Sequence, residues 1–241
     1  MKKKEAEKMT IADNIAQVRA NIAAAAREAG RDPGDILLVG ASKMNAAAAC
    51  REAIAAGIDA LGENRVQEMT AKLAENAYDG APLHFIGHLQ RNKVRQVVGR
   101  VALIQSAGSE ELLAEIEKQA AKLALVQDVL LEVNIGLEAA KSGFPPDVLA
   151  EAAARARELE HVRVRGLMVI PPADASRKQN FAYFEKVFRL YVDINQNLYD
   201  NKLEILSMGM SGDYEDAIRA GATMVRVGTA IFGARAYPAA N

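Results

Sequence analysis

Tryptophan is absent from this 241-residue chain, and cysteine and histidine are scarce, with one Cys and three His. The lone Cys50 cannot form an internal disulfide, and no thiolate metal cluster can be built from it. No apolar run reaches the roughly 20 residues that a membrane-spanning helix needs. A charge excess is also missing. The 30 Lys and Arg stand against 31 Asp and Glu, for a formal charge of -1. Without a basic footprint to hold phosphate backbones, nucleic acid is not expected as a partner. The start, Met1-Lys2-Lys3-Lys4-Glu5-Ala6-Glu7-Lys8, is basic but has no apolar stretch behind it. It does not read as a secretory leader, so a cytoplasmic protein with a flexible tail over 1–10 is expected. No Pro/Ser/Gly-rich linker, single-sign block or sequence repeat interrupts the chain, and 1–241 reads as one domain.

What the chain has is a composition 50% hydrophobic and 25% charged, too apolar and too balanced for disorder. A helix is predicted over 11–28, where Ile15, Val18, Ile22 and Ala25 recur at helical spacing. Gly30 and the turn Asp32-Pro33-Gly34 stop it. Short apolar runs then alternate with helix-like segments. Strands are predicted at 36–41, 58–61, 83–86, 101–104, 128–134, 163–169, 203–206 and 224–227. Helices are predicted at 46–56, 65–74, 93–98, 110–123, 146–159, 179–199 and 214–220. Continuous apolar runs suit strands buried on both faces, and strict alternation demands a parallel sheet with right-handed crossovers. Eight such units at this length predict a closed (β/α)8 TIM barrel, with the first helix as an addition. An open doubly wound sheet is the alternative, but Ser42-Lys43-Met44-Asn45 after the first strand is no Gly-rich phosphate loop.

Polar and glycine-containing clusters follow nearly every predicted strand: Ser42 and Lys43, Glu63 and Asn64, Gly87 and His88, Ser106, Asn134, Ser207 to Ser211, and Arg226 to Thr229. In a barrel these ends converge on one rim, where active sites sit. Lys43 stands just past an apolar strand, at the barrel mouth. Partial burial there lowers an ammonium pKa and frees an amine able to condense with an aldehyde; the plainer reading is a snorkelling surface lysine. The run Gly228-Thr229-Ala230 opens a short final helix and offers backbone N–H groups and a hydroxyl to an anion. Ser211 and Asp213 could either assist it or cap the helix that follows them. Arg226 needs an acceptor, and a pyridine nitrogen or a carboxylate such as Glu63 would serve. His84 and His88 lie too far apart along a strand to chelate one metal ion. Cys50 reads as a small packing residue.

The chain carries Ala41-Ser42-Lys43, Gly62-Glu63-Asn64-Arg65-Val66-Gln67-Glu68, His84-Phe85-Ile86-Gly87-His88-Leu89-Gln90, Lys141-Ser142-Gly143-Phe144, Gly166-Leu167-Met168, Ser207-Met208-Gly209-Met210-Ser211, and residues 221–233 from Gly221-Ala222-Thr223 through Arg226-Val227-Gly228-Thr229 to Phe232-Gly233. Together these resemble the YggS/PROSC family of pyridoxal phosphate (PLP) homeostasis proteins, over about residues 11–237. The resemblance implies a single barrel like the N-terminal domain of alanine racemase, with PLP held as an internal aldimine on Lys43. It implies Arg226 facing the pyridine nitrogen, Ser211, Gly228 and Thr229 cradling the phosphate with Ser207 and Met208 nearby, and Asn64 lining the pocket. Met44-Asn45 and Arg65 depart from the family pattern at the rim.

That resemblance predicts a PLP carrier that stores, buffers or delivers the cofactor, with PLP-dependent apo-enzymes as partners and a monomeric state. The alternative is a PLP-dependent amino-acid racemase. An arginine does not yield its proton to the pyridine ring, which weakens the electron sink that α-carbanion chemistry uses, although alanine racemases share this arginine. A racemase also needs an acid/base group on the face opposite the lysine. No second, β-rich domain follows the barrel pattern to supply one, so the cofactor face is expected to open to solvent. Lys141 follows the fifth strand on the same rim and is a candidate second, transient PLP site, with a solvated surface lysine as the alternative.

Overall fold

Apolar runs that are buried on both faces can only be satisfied by a sheet with neighbours on either side, and eight of them close on one another here. The computed structural model describes residues 9–233. Its strands are β1 (Leu37–Ala41), β2 (Ala60–Glu63), β3 (Leu83–Phe85), β4 (Leu103–Ala107), β5 (Gln127–Val133), β6 (Val162–Val169), β7 (Ile205–Ser207) and β8 (Met224–Val227). Each pairs in parallel with the next, and β8 pairs with β1, giving a closed (β/α)8 TIM barrel. One strand face points inward, where Val39, Ala60, Leu103, Leu130, Met168 and Met224 fill the barrel. The other face packs against the helices in a second, larger cluster.

The helical layer consists of α1 (Ile11–Glu28), α2 (Ala47–Ala55), α3 (Val66–Ala74), α4 (Glu110–Lys122), α5 (Leu149–Arg157), α6 (Arg177–Leu198), α7 (Tyr214–Arg219) and the single-turn α8 (Thr229–Phe232). Caps set several starts. Thr10 and Asp13 form a capping box on α1, Ser176 and Gln179 form one on α6, and Ser109 caps α4. The additional helix α1 buries Ile15, Val18, Ile22 and Ala25, as its spacing predicts, and Ala26 besides. Asn14 Nδ2 donates to Ile231 O of α8 at 2.8 Å, and Asn21 Nδ2 to the Tyr214 hydroxyl of α7 at 3.0 Å. These two bonds seat α1 against the end of the chain that carries the Gly-Thr turn. The flexible tail expected over 1–10 falls largely outside the described residues, and Thr10 itself is the cap of α1.

Two strands differ from their predicted spans in a way that matters. The second moves from 58–61 to Ala60–Glu63, and the fourth from 101–104 to Leu103–Ala107. Ile58 and Val101 are buried without being paired in a strand, so the apolar signal begins before the ladder does. Glu63 and Ser106 are therefore strand residues rather than loop residues. The short helix predicted over 93–98 is a 3-10 helix, Arg91–Gln96.

Gly166 marks the tightest backbone contact. The β5–β6 register jumps from Val129↔Val164 to Leu130↔Gly166, which leaves Arg165 as the extra residue of a bulge. Gly166 has φ +153°, and a Cβ there would lie 1.7 Å from Ile205 O on β7. Gly166→Ala should therefore destabilise the barrel by about 3 kcal/mol or more, read from the midpoint of urea unfolding; an unchanged midpoint would contradict this packing.

Candidate functional site

The first element of the site is the turn after β1. Ser42 N–H donates to Gly62 O at 3.0 Å, and Asn45 N–H closes the turn onto Ser42 O at 3.1 Å. Lys43 sits half-buried within this turn, two residues past the inward-facing strand. A buried cluster lies behind it. The Lys72 ammonium from α3 donates to Ser42 O at 2.8 Å, to Glu63 Oε1 at 2.6 Å and to Glu68 Oε1 at 2.7 Å. Burial pulls the Lys72 pKa down, but the hydrogen bonds to both carboxylates outweigh it and hold the ammonium above its ordinary value. Burial and the Glu63 charge push the Tyr78 hydroxyl upward. Glu63 is thus not the partner of Arg226, as considered above. It follows Gly62 on β2 and turns outward to Lys72, because alternation sends neighbouring strand residues to opposite faces.

The second element lies inside the barrel. Arg226 is 3% exposed. Its guanidinium donates to Ser207 Oγ and, at 2.9 Å, to Val169 O. Ser207 Oγ donates to Gln105 Oε1 at 2.7 Å, and Gln105 Nε2 donates in turn to His84 Nδ1 at 3.0 Å. The chain of donors has one direction, Arg226 to Ser207 to Gln105 to His84, and it requires His84 to be neutral at Nδ1. Burial does this, pulling the His84 pKa from 6.5 to about 4. Burial also pulls the Arg226 pKa down to about 10, against the opposing charges of Asp213 and Glu132. Arg226 forms no ion pair with a described carboxylate. A buried guanidinium in that position has donors to spare and gains from any further acceptor that enters the barrel mouth.

The third element is a candidate anion cradle at the turn from β8 into α8. Ser211 Oγ accepts from Gly228 N–H at 3.1 Å and Ala230 N–H at 3.4 Å, at the start of α8. Of the two roles open to Ser211 and Asp213, a side-chain cap of α7 is not the one adopted: Asp213 occupies the N-cap position without such a bond and instead accepts from Met210 N–H and Asn180 Nδ2. Because β8 pairs with β1, a Cβ on Gly228 would lie only 3.3 Å from Ala41 O. The cradle and the Lys43 turn are therefore immediate neighbours, and Arg226 lies two residues before Gly228 on the same strand. Thr229 is exposed at the first position of α8. Met208 is fully buried, with its N–H bonded to Met224 O at 3.1 Å, and its side chain packs between sheet and helices. Asn64 directly follows β2 and is held by Gly87, where a Cβ would strike Asn64 O at 2.3 Å. Its buried Oδ1 has no hydrogen-bond partner and fits a donor arriving from outside the protein.

Lys141 stands across the same rim, with its ammonium 2.6 Å from the Glu138 carboxylate and its side chain 37% exposed. It borders a cavity of about 330 Å³ shared with His88, Glu132, Asn134 and Ser142. Gln105 and Glu132 are site residues that the sequence reading did not pick out. Both alternate with inward-facing leucines, Leu103 and Leu130, but the intervening residues are apolar too, and a run buried on both faces conceals which residues point inward.

A family model for the alanine racemase N-terminal domain matches residues 14–236. A curated relative, the pyridoxal phosphate homeostasis protein of Pseudomonas aeruginosa, is 43% identical over 230 residues, covering 95% of this chain and 98% of the relative. The chain belongs to the pyridoxal phosphate homeostasis protein family. Among solved structures, PipY of Synechococcus elongatus with PLP bound is 35% identical with a TM-score of 0.82, over 93% of this chain and 100% of that one. At the level of fold alone, an alanine racemase of Clostridium difficile matches at 20% identity with a TM-score of 0.71, covering 94% of this chain and 57% of the racemase. The common fold therefore stops short of the racemase's full length.

The neutral interior histidine has a consequence for stability. Its folded pKa lies below its unfolded one, so unfolding takes up a proton as the pH falls from 6.5 towards 4. Stability should be full above that window and drop by about 3 kcal/mol across it, whereas a folded His84→Gln protein should show a correspondingly flatter profile in urea titrations at each pH. Identical profiles for the two proteins would mean that His84 is not held neutral.

Proposed function

We propose that this chain binds pyridoxal phosphate at the Lys43–Arg226–Ser211 site and serves intracellular PLP homeostasis as a carrier of the cofactor. The observation that carries the proposal is the buried Arg226 guanidinium, which has no carboxylate partner among the described residues and lies two residues from the anion cradle. A pyridine nitrogen is an acceptor without charge or proton to give, and it suits that guanidinium. The orphaned Oδ1 of Asn64 suits a ring hydroxyl. Ser211, Gly228 and Thr229 would hold the phosphate, with Ser207 fixing Arg226 from below and Met208 fixing the strand frame.

When bound, the cofactor supplies an electrophilic aldehyde carbon. Lys43 is the amine that meets it, Arg226 orients the ring, and the cradle anchors the charge. Arg226 keeps its own proton, so these residues bind and retain the cofactor but offer the ring no acid. We read the protein as a single barrel domain spanning 1–241, monomeric and cytoplasmic, that gives PLP to apo-enzymes. No described helix is long and apolar enough to cross a membrane.

Borohydride treatment of the PLP-loaded protein, followed by peptide mapping, should place the cofactor on the peptide containing Lys43, and Lys43→Ala should lose the absorbance of the lysine-bound cofactor. An unchanged spectrum in Lys43→Ala would mean that another lysine carries it. Steady conversion of an L-amino acid to its D-form would overturn the carrier reading in favour of a racemase.

A further inference from the structure

Lys72 is the one buried lysine among the described residues, and all three of its hydrogen bonds converge on the ground beneath Lys43. Its ammonium holds the Ser42 carbonyl, and Glu63 Oε1 holds the Ser42 hydroxyl at 2.6 Å. The same Glu63 oxygen accepts from Tyr78 at 3.1 Å. Glu68, one helical turn before Lys72, accepts the backbone N–H of Met44. The two residues that flank Lys43 are thus gripped by one ion cluster from both sides. Met44 has need of the grip: its φ is +63°, a left-handed conformation that side-chain-bearing residues seldom adopt.

Stability alone is a poor reason for this arrangement. Desolvation offsets most of the attraction in a buried ion cluster, and apolar groups of equal volume commonly do as well. Glu63 Oε2 is moreover buried without any partner. What the cluster supplies, and an apolar patch could not, is a fixed peptide geometry at Ser42 and Met44.

We propose that Lys72, Glu63 and Glu68 are positioning residues that act through Ser42 and Met44 to set the Lys43 amine against the aldehyde carbon of bound PLP. This inference rests on the cofactor reading above. In the step they assist, the Lys43 nitrogen becomes doubly bonded to the aldehyde carbon, and the aldehyde oxygen leaves with both amine protons as water. Such alignment raises the yield of condensation without touching the anchoring of ring or phosphate.

Two ligands separate these effects: PLP, and deoxypyridoxine phosphate, whose methyl group replaces the aldehyde. Glu68→Ala removes the hold on Met44 and leaves the Glu63–Lys72 pair intact; Glu68 is 20% exposed, so this variant should fold. Lys72→Met removes the hold on the Ser42 carbonyl, and Glu68→Gln restores an acceptor for Met44. In Glu68→Ala and Lys72→Met, PLP affinity should fall by about tenfold and the lysine-bound absorbance with it, while deoxypyridoxine phosphate affinity stays within about twofold. Glu68→Gln should recover most of the loss. Equal weakening of both ligands, or a full lysine-bound absorbance in folded Glu68→Ala, would overturn the positioning role while leaving the cofactor reading in place. Failure of the unaltered protein to condense with PLP would sink the cofactor reading, and this inference with it.

Discussion

The pairing of β8 with β1 closes the barrel, and the same pairing assembles the site. Val39 lies beside Arg226 and Gly40 beside Val227, so a strand near the start of the chain and the last one meet in register. Each delivers its part through its C-terminal end: β1 leads into the Lys43 turn, and β8 leads from Arg226 into Gly228. An amine and an anion cradle separated by most of the sequence become backbone neighbours through this one ladder. The added helix α1 reinforces it from outside, since Asn14 fastens to α8 and Asn21 to α7.

Inside the barrel the governing constraint is polarity. A cylinder lined by leucine, valine and methionine would give a stable core with no chemistry. Here a polar strip from Arg226 through Ser207 and Gln105 to His84 runs across it, and each group has a partner of fitting character. The strip keeps a permanent positive charge in a dry place without neutralising it. A site of that kind favours a neutral acceptor and does little to promote proton transfer to it.

Much of this could be read from the residues alone, for identifiable reasons. The helix 11–28 has both a strong period and a capping residue, and it forms over those residues. The eighth strand, 224–227, is bracketed by Gly221 and Gly228, and it too forms as predicted. Lys43, Arg226, Ser211 and Gly228 could be singled out because each lies at a strand end, where a polar residue needs explaining, and the fold brings them together. The inward faces could not be read. Gln105 and Glu132 each follow an outward-facing apolar residue, Ile104 and Leu131, so no clean alternation marks their face, and the tie considered between Glu63 and Arg226 fails because one residue of register decides which side of a strand a side chain takes. The grip of Lys72 was equally hidden, since a lysine in a helix ordinarily faces water.

Ser211 is the feature with the widest consequence. Its hydroxyl already occupies the two amides that a bound anion would claim, so those amides have a partner whether or not cargo is aboard. A receptacle that mends itself on emptying has no loop to refold and no stranded donors to force the cargo to stay. An anion seated there would exchange against a hydroxyl already in place, so neither its arrival nor its departure would leave those two amides unpaired.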